Sequence, residues 1–287
     1  IGADGQYAMG SILCIWFALY GPDMPAVPKL IIMFVLAAAG GAFISLLAAI
    51  PRAFWNVSET ILTMMLNYIV LLFLNFLMYG PWKEEGQMVA QTARTDERYW
   101  LPDIGNTGIN SIVIIAVIMA VAIYFFHKKT SKGYQMEVIR RGPAAAKYAG
   151  MNVKANIIFV LGISGAIAGL AGFAQVGGII HRVQADLPNG AGYTGIVIAY
   201  LAGLNPLVVL IVGFLFGALQ ISAVAVQITG VPSQIATMIQ GSIMLFVIAG
   251  EFFKRYKITR QNSQPSLPEK STEDPKKEIP VQEGGAE

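Results

Sequence analysis

The chain has 287 residues, of which 55% are hydrophobic and only 13% charged, with a net charge of +3. Its mean hydropathy is +0.59, whereas a soluble domain carries about 25% charged residues. A soluble globular domain is therefore excluded. The small basic excess is confined to one loop and the tail, so it reports membrane topology and not nucleic-acid binding.

Asp, Glu, Lys and Arg are missing from six stretches, 5–22, 30–51, 60–82, 104–126, 155–180 and 187–250. Each approaches or exceeds the roughly 20 apolar residues a span needs. The fold class predicted is all-α, a polytopic transmembrane helical bundle of about eight visible spans. The transmembrane domain covers 1–256, with a basic loop at 127–156, and 257–287 forms a tail. The chain starts without Met in a Gly-rich polar patch, which predicts a missing amino-terminal part with at least one further span.

Ile1 to Gln6 holds three small or flexible residues and Asp4, directly before the apolar run Tyr7–Tyr20. Two readings stay open. One is a broken helix buried in protein, where Asp4 and Gln6 line a cavity; the other is a plain interfacial loop. Cys14, the one cysteine, lies inside this run and excludes an intrachain disulfide. Gly21–Pro25 is a turn.

Leu30–Ile50 is the second span, with a small-residue centre at Ala37–Ala42 suited to close packing. Pro51–Glu59 reads as a short amphipathic connection, with Ser58 placed to cap the next helix. Ile61–Tyr79 carries Asn67 and Asn75. An amide in a span needs a partner, so Asn67 is either interhelical glue or part of a polar path. Pro81–Asn106 is the longest loop, balanced in charge and rich in interfacial aromatics.

Ile109–Phe126 is the fourth span. The loop after it carries His127, Lys128, Lys129, Lys132, Arg140, Arg141, Lys147 and Lys154 against Glu137 alone, which puts it in the cytoplasm. Inside it, Gly142-Pro143-Ala144-Ala145-Ala146-Lys147-Tyr148-Ala149-Gly150 has helix punctuation at both ends. Proline suits the first helical position and glycine the left-handed stop. The predicted two-turn helix is too short to stand alone. It is either a docking helix or an ordinary basic loop.

Ile157–Gly178 is the fifth span, with Gly165 and Gly169 four apart and Gln175 near its end. Gly192–Leu204, with Thr194, is short for a span. The basic tail Lys254–Arg260 is expected inside, and an even count of crossings back to Lys154 is met only if 192–204 crosses; it is taken as a crossing. Leu207 to about Val226, with Gln220, and Ile235–Gly250 complete the set. Residues 261–287 are polar and Pro-rich and predict disorder. There is no metal-ligating spacing, no catalytic motif within a span and no Gly-x-x-x-x-Gly-Lys-Ser/Thr phosphate loop; the chain does not read as an enzyme.

The order Ile1-Gly2-Ala3-Asp4-Gly5-Gln6, Leu66-Asn67-Tyr68, Arg140 to Met151, Gly162–Gly172 and Gly203-Leu204-Asn205-Pro206-Leu207 resembles the permease subunits of bacterial ABC importers of the branched-chain amino acid, ribose and nucleoside superfamily. The Gly5-Gln6 pair and Gly192-Tyr193-Thr194-Gly195-Ile196 look most like the nucleoside and simple-sugar branch. The resemblance implies that Arg140, Arg141, Gly142, Pro143, Ala144, Ala145, Ala146, Tyr148, Ala149 and Gly150 form a coupling helix seated in a separate ATP-binding subunit. ATP and Mg would be bound by that partner, and this chain would hold no cofactor.

Further implied partners are a second permease subunit, an extracellular or periplasmic substrate-binding protein and membrane lipid; nucleic acid is not one. The cell membrane would be bacterial, with the tail cytoplasmic. The neutral groups Gln6, Asn67, Gln175, Thr194 and Gln220, with Asp4, are the expected path for a nucleoside or related neutral solute, or for a simple sugar such as ribose. An ion-coupled secondary transporter is the rival reading.

Overall fold

The computed structural model describes residues 2–105, 110–185, 187 and 190–227, with scattered positions between 235 and 250. Among these residues the chain is helical and forms no named strand. It packs as one unit over Ile1–Val247.

Helix α1 runs Ala3–Tyr20, α2 Ala26–Trp55 and α3 Glu59–Tyr79. Helix α2 is longer than the sequence suggests, because it continues through Pro51 to Trp55. The residues expected as a connection are its last turn, which ends at Asn56 with φ 53°. Ser58 stands at the start of α3 but accepts no backbone N–H through its side chain.

Helix α4 spans Ile112–Lys129. Two further helices follow, α5 at Ser131–Arg141 and α6 at Pro143–Tyr148, then α7 at Val153–Ala174. Helix α7 ends in a wide π turn over Gln175–Ile179. Helices α8, Ala191–Leu201, and α9, Pro206–Gln227, complete the described elements.

Small residues set the centre of the bundle. A β-carbon on Gly10 would lie 2.6 Å from Gly169 Cα, and Gly41 and Ala37 press equally closely on Gly165 and Gly169. Helices α1, α2 and α7 therefore meet backbone to backbone, as the glycine spacing predicts. Above this crossing lies an apolar core of Ile15, Met33, Leu74, Met78, Phe173 and Val176, with Phe34 and Phe173 edge to face at 5.5 Å. Gly213 and Gly217 on α9, by contrast, face open space among the described residues.

The outward surfaces are apolar. Ala120 is the one buried residue of α4, and Ile61, Met65, Ile69, Leu72 and Phe76 are exposed along α3. A soluble protein does not show such faces; a membrane protein presents them to lipid or to other spans. Among the described residues, four elements are long and apolar enough to cross a bilayer: Ala26–Trp55, Glu59–Tyr79, Ile112–Lys129 and Val153–Ile179. The chain is a multi-pass membrane protein.

Helix α8 departs from expectation. Eleven residues give about 16 Å of helix, half a hydrocarbon core. Ala199, Leu204 and Pro206 at its far end share a cavity wall with Ile112, Met119 and Ile123 of α4 and with Ile167, Ala171 and Ala174 of α7. By itself this helix is shorter than the full crossing expected from charge parity. The expected span Ile235–Gly250 and the tail 257–287 lie largely or wholly outside the described residues.

Candidate functional site

The polar start of α1 is helical and buried. Gly2, at φ 88°, caps the helix and sits against Thr63, while Gly5 abuts Asn67. Gly2 to Gly5 on α1 thus matches Thr63 to Asn67 on α3, so the two helices run parallel. Asn67 is the ninth residue of α3, roughly 12 Å inside it at helical rise. Helix α1 therefore begins level with the middle of α3, within the depth of the bundle.

A second helix starts at the same place. Gly190, with φ 74°, precedes α8, and Gly192 N–H donates to Asp4 Oδ1 at 2.6 Å. Asp4 lies in the first turn of α1 and accepts from the first turn of α8. Its carboxylate is offset by the partial positive ends of two helices, which explains how a charge-bearing side chain is tolerated at 4% exposure.

Three further residues are buried with it. Gln6 follows on the same turn. Thr194 Oγ1 donates to Gly190 O at 3.2 Å, tightening the α8 start. Asn67 is 3% exposed, and its Oδ1 finds no donor among the described residues. Gln175 is half-buried at the start of the π turn, one turn past the Gly172–Tyr7 contact. Gln220 is exposed on α9. The structure joins Asp4, Gln6, Asn67 and Thr194 around two helix starts and leaves Gln220 outside that group.

The second site is the α5–α6 pair at the end where α3 and α7 begin. Helix α5 was hidden in the sequence inside a basic loop. Thr130 caps it, accepting from Gly133 N–H at 3.1 Å. Glu137 then receives Arg140 at 2.7 Å and Arg141 at 2.8 Å. These partners hold the Glu137 carboxyl down at about 2. The Thr-x-x-Gly start and the i, i+3 and i, i+4 charge pairs were the available signals.

Helix α6 begins at Pro143, as its sequence predicts, behind Gly142. It closes with Gly150 at φ 75°, Gly150 N–H donating to Lys147 O and Met151 N–H to Ala146 O at 3.0 Å. That paired bond is the Schellman ending. Ala146 is fully buried and anchors the helix. Pro143, Ala144, Ala145, Lys147, Ala149 and Gly150 are exposed, and Tyr148 stands out at 94%. Around them lie the exposed Arg140, Arg141 and Lys128.

At the other end, loop 81–106 closes on the segment after α7. Thr92 N–H donates to Val183 O, and Thr95 N–H to His181 O at 2.9 Å. His181 stacks flat on Trp100 at 4.0 Å, and Arg94 lies 4.4 Å over the same indole. Burial and Arg94 push the His181 imidazole below its ordinary range. Lys29, 2% exposed, sits 4.0 Å over the Tyr99 ring. The sequence offered no sign of these pairings.

Against known proteins, residues 1–248 match the family described as branched-chain amino acid transport system / permease component. The chain is 31% identical to a glucose ABC transporter permease protein of Haloferax volcanii, over 90% of this chain and 71% of that one. It is 30% identical to a nucleoside ABC transporter permease protein of Lactococcus lactis, over 86% and 71%. It is equally identical to a guanosine ABC transporter permease protein of Bacillus subtilis, over 86% and 72%. No solved structure matches.

Proposed function

This chain belongs to the branched-chain amino acid transport system permease family, whose members are transport subunits and not enzymes, and from that premise we propose that it is the permease subunit of an ATP-driven importer for nucleosides or simple sugars. The observation that carries the proposal is α6. It is short, self-capped, anchored by one alanine and exposed along the rest of its surface. A groove on a separate ATPase subunit would receive it, and ATP and Mg would be bound there. Nucleotide-driven movement of α6 passes through α5 to α7 and switches the bundle between two access states.

The α5–α6 end is the cytoplasmic one in this reading, because Lys and Arg collect there. The opposite ribbon of 81–106 would receive the substrate-binding protein, and a second permease subunit would complete the pathway. Charge bias puts the Lys254–Arg260 tail on the α6 side.

The solute class follows from chemistry and from the relatives together. Asp4 is committed to the α8 start, so the remaining buried groups are neutral. The unpaired Asn67 Oδ1 seeks a donor such as a sugar hydroxyl or a nucleobase N–H.

Substitution at Ala145 tests the coupling role better than at Ala146, which is buried and would disturb folding. Ala145→Trp is expected to cut ATP-dependent uptake at least about tenfold, as loss of one good interface contact does, while insertion and yield stay unchanged. Full uptake by this variant removes the assignment. Uptake that persists without the ATPase subunit and stops with an uncoupler would identify an ion-coupled transporter instead.

A further inference from the structure

A cavity of about 390 Å³ opens between α3, α5 and α7, at the end of the bundle where α3 and α7 begin. Ile157, Val160, Leu161 and Met136 form its apolar wall. Glu59, Arg140 and Asn156 supply its polar groups. The volume falls within the range of sites for small ligands.

Asn156 is the informative residue. It is 3% exposed, and its Nδ2 donates to Asn152 O at 3.0 Å. That bond fixes which end of the amide is which. The other end, Oδ1, is buried and has no donor among the described residues. A buried amide oxygen left unpaired is unfavourable, so the site calls for a ligand that donates. Glu59 adds a carboxylate, whose ion pair to Arg52 is long at 3.6 Å. Arg140 uses Nε and one terminal nitrogen on Glu137, which leaves guanidinium N–H groups free to donate.

The site thus combines two acceptors, one cation and an apolar wall at the depth where spans begin. We propose that it binds the head of an aminophospholipid. The primary ammonium donates to Asn156 Oδ1 and Glu59, the phosphate accepts from Arg140, and an acyl chain lies along Ile157, Val160 and Leu161. A choline head has no N–H to give, and a glycerol head lacks the positive charge that Glu59 favours. The bound lipid would tie α3 to α5, the helix that leads into α6. The inference does not depend on which solute is carried.

Native mass spectrometry of the purified full chain, supplied in turn with phosphatidylethanolamine, phosphatidylcholine and phosphatidylglycerol, tests it. Phosphatidylethanolamine is expected to be retained about tenfold more than either, the factor one charge-assisted hydrogen bond supplies. Glu59→Gln should erase the preference by removing a charge, and Val160→Trp by filling the cavity. Equal retention of the three lipids, or a preference unchanged in both variants, overturns the proposal. So does full displacement by millimolar glycerophosphoethanolamine, which would assign the cavity to a soluble amine.

Discussion

Asp4 illustrates how a single side chain joins two helix starts. Its carboxylate is the acceptor for the α8 start and lies in the α1 first turn. Replacing it by leucine leaves the half-buried Gly192 N–H unpaired, a loss of about 1 kcal/mol. Asp4→Leu is expected to melt several degrees lower in detergent than Asp4→Asn, which keeps the oxygen. Equal melting of the two variants would mean the bond carries no stability. His181 behaves differently because imidazole is the side chain whose ordinary titration lies near neutrality. Its imidazole is held below the ordinary value, so the folded chain prefers it neutral. Above the unfolded value near 6.5 there is no penalty; as pH falls below it, the ribbon around Trp100 is destabilised. Trp100 emission should change as pH falls below about 6.5 and stay constant in His181→Phe. An identical titration in that variant would point to another group.

Helix packing here rests on missing side chains. Helices α1, α2 and α7 approach through Gly10, Gly41, Gly165 and Gly169, so an added methyl has no space to occupy. Gly169→Leu is expected to separate the three helices and lower stability by about 1–3 kcal/mol or more. Gly213→Leu on α9, where nothing lies close, should be neutral in the same melt. The reverse ranking would show that the glycines serve another purpose. Helix α6 follows the opposite logic. It is held by its caps and Ala146, and its remaining surface is unused by the described fold, which is what a docking element requires.

The whole bundle is polarised. Basic residues and the α5–α6 pair gather at one end, while the ribbon of 81–106 and the segment after α7 closes the other. The single cysteine, Cys14, is buried, so introduced cysteines give a clean test of sidedness. Tyr148→Cys and Met88→Cys, both at fully exposed positions, should label with an impermeant maleimide from opposite faces of the membrane. Labelling of both from one face would dismantle the coupling reading.

Apolar run lengths, basic bias and the Pro143–Gly150 punctuation were legible in the linear order, because span length, loop charge and helix ends are local properties. The glycine pairs on α7 were legible too, since their spacing alone defines a flat helix face. Helix α5 was concealed, because an amphipathic helix on a basic loop has no apolar run to announce it. The polar cluster was recognised as a set of residues, but its geometry was not. Asp4 and Gly192 are 188 positions apart, and nothing local in either tells that one helix start will cap the other. The short length of α8 was visible as a short apolar run, but its packing was not, because which neighbours it meets is decided by the fold.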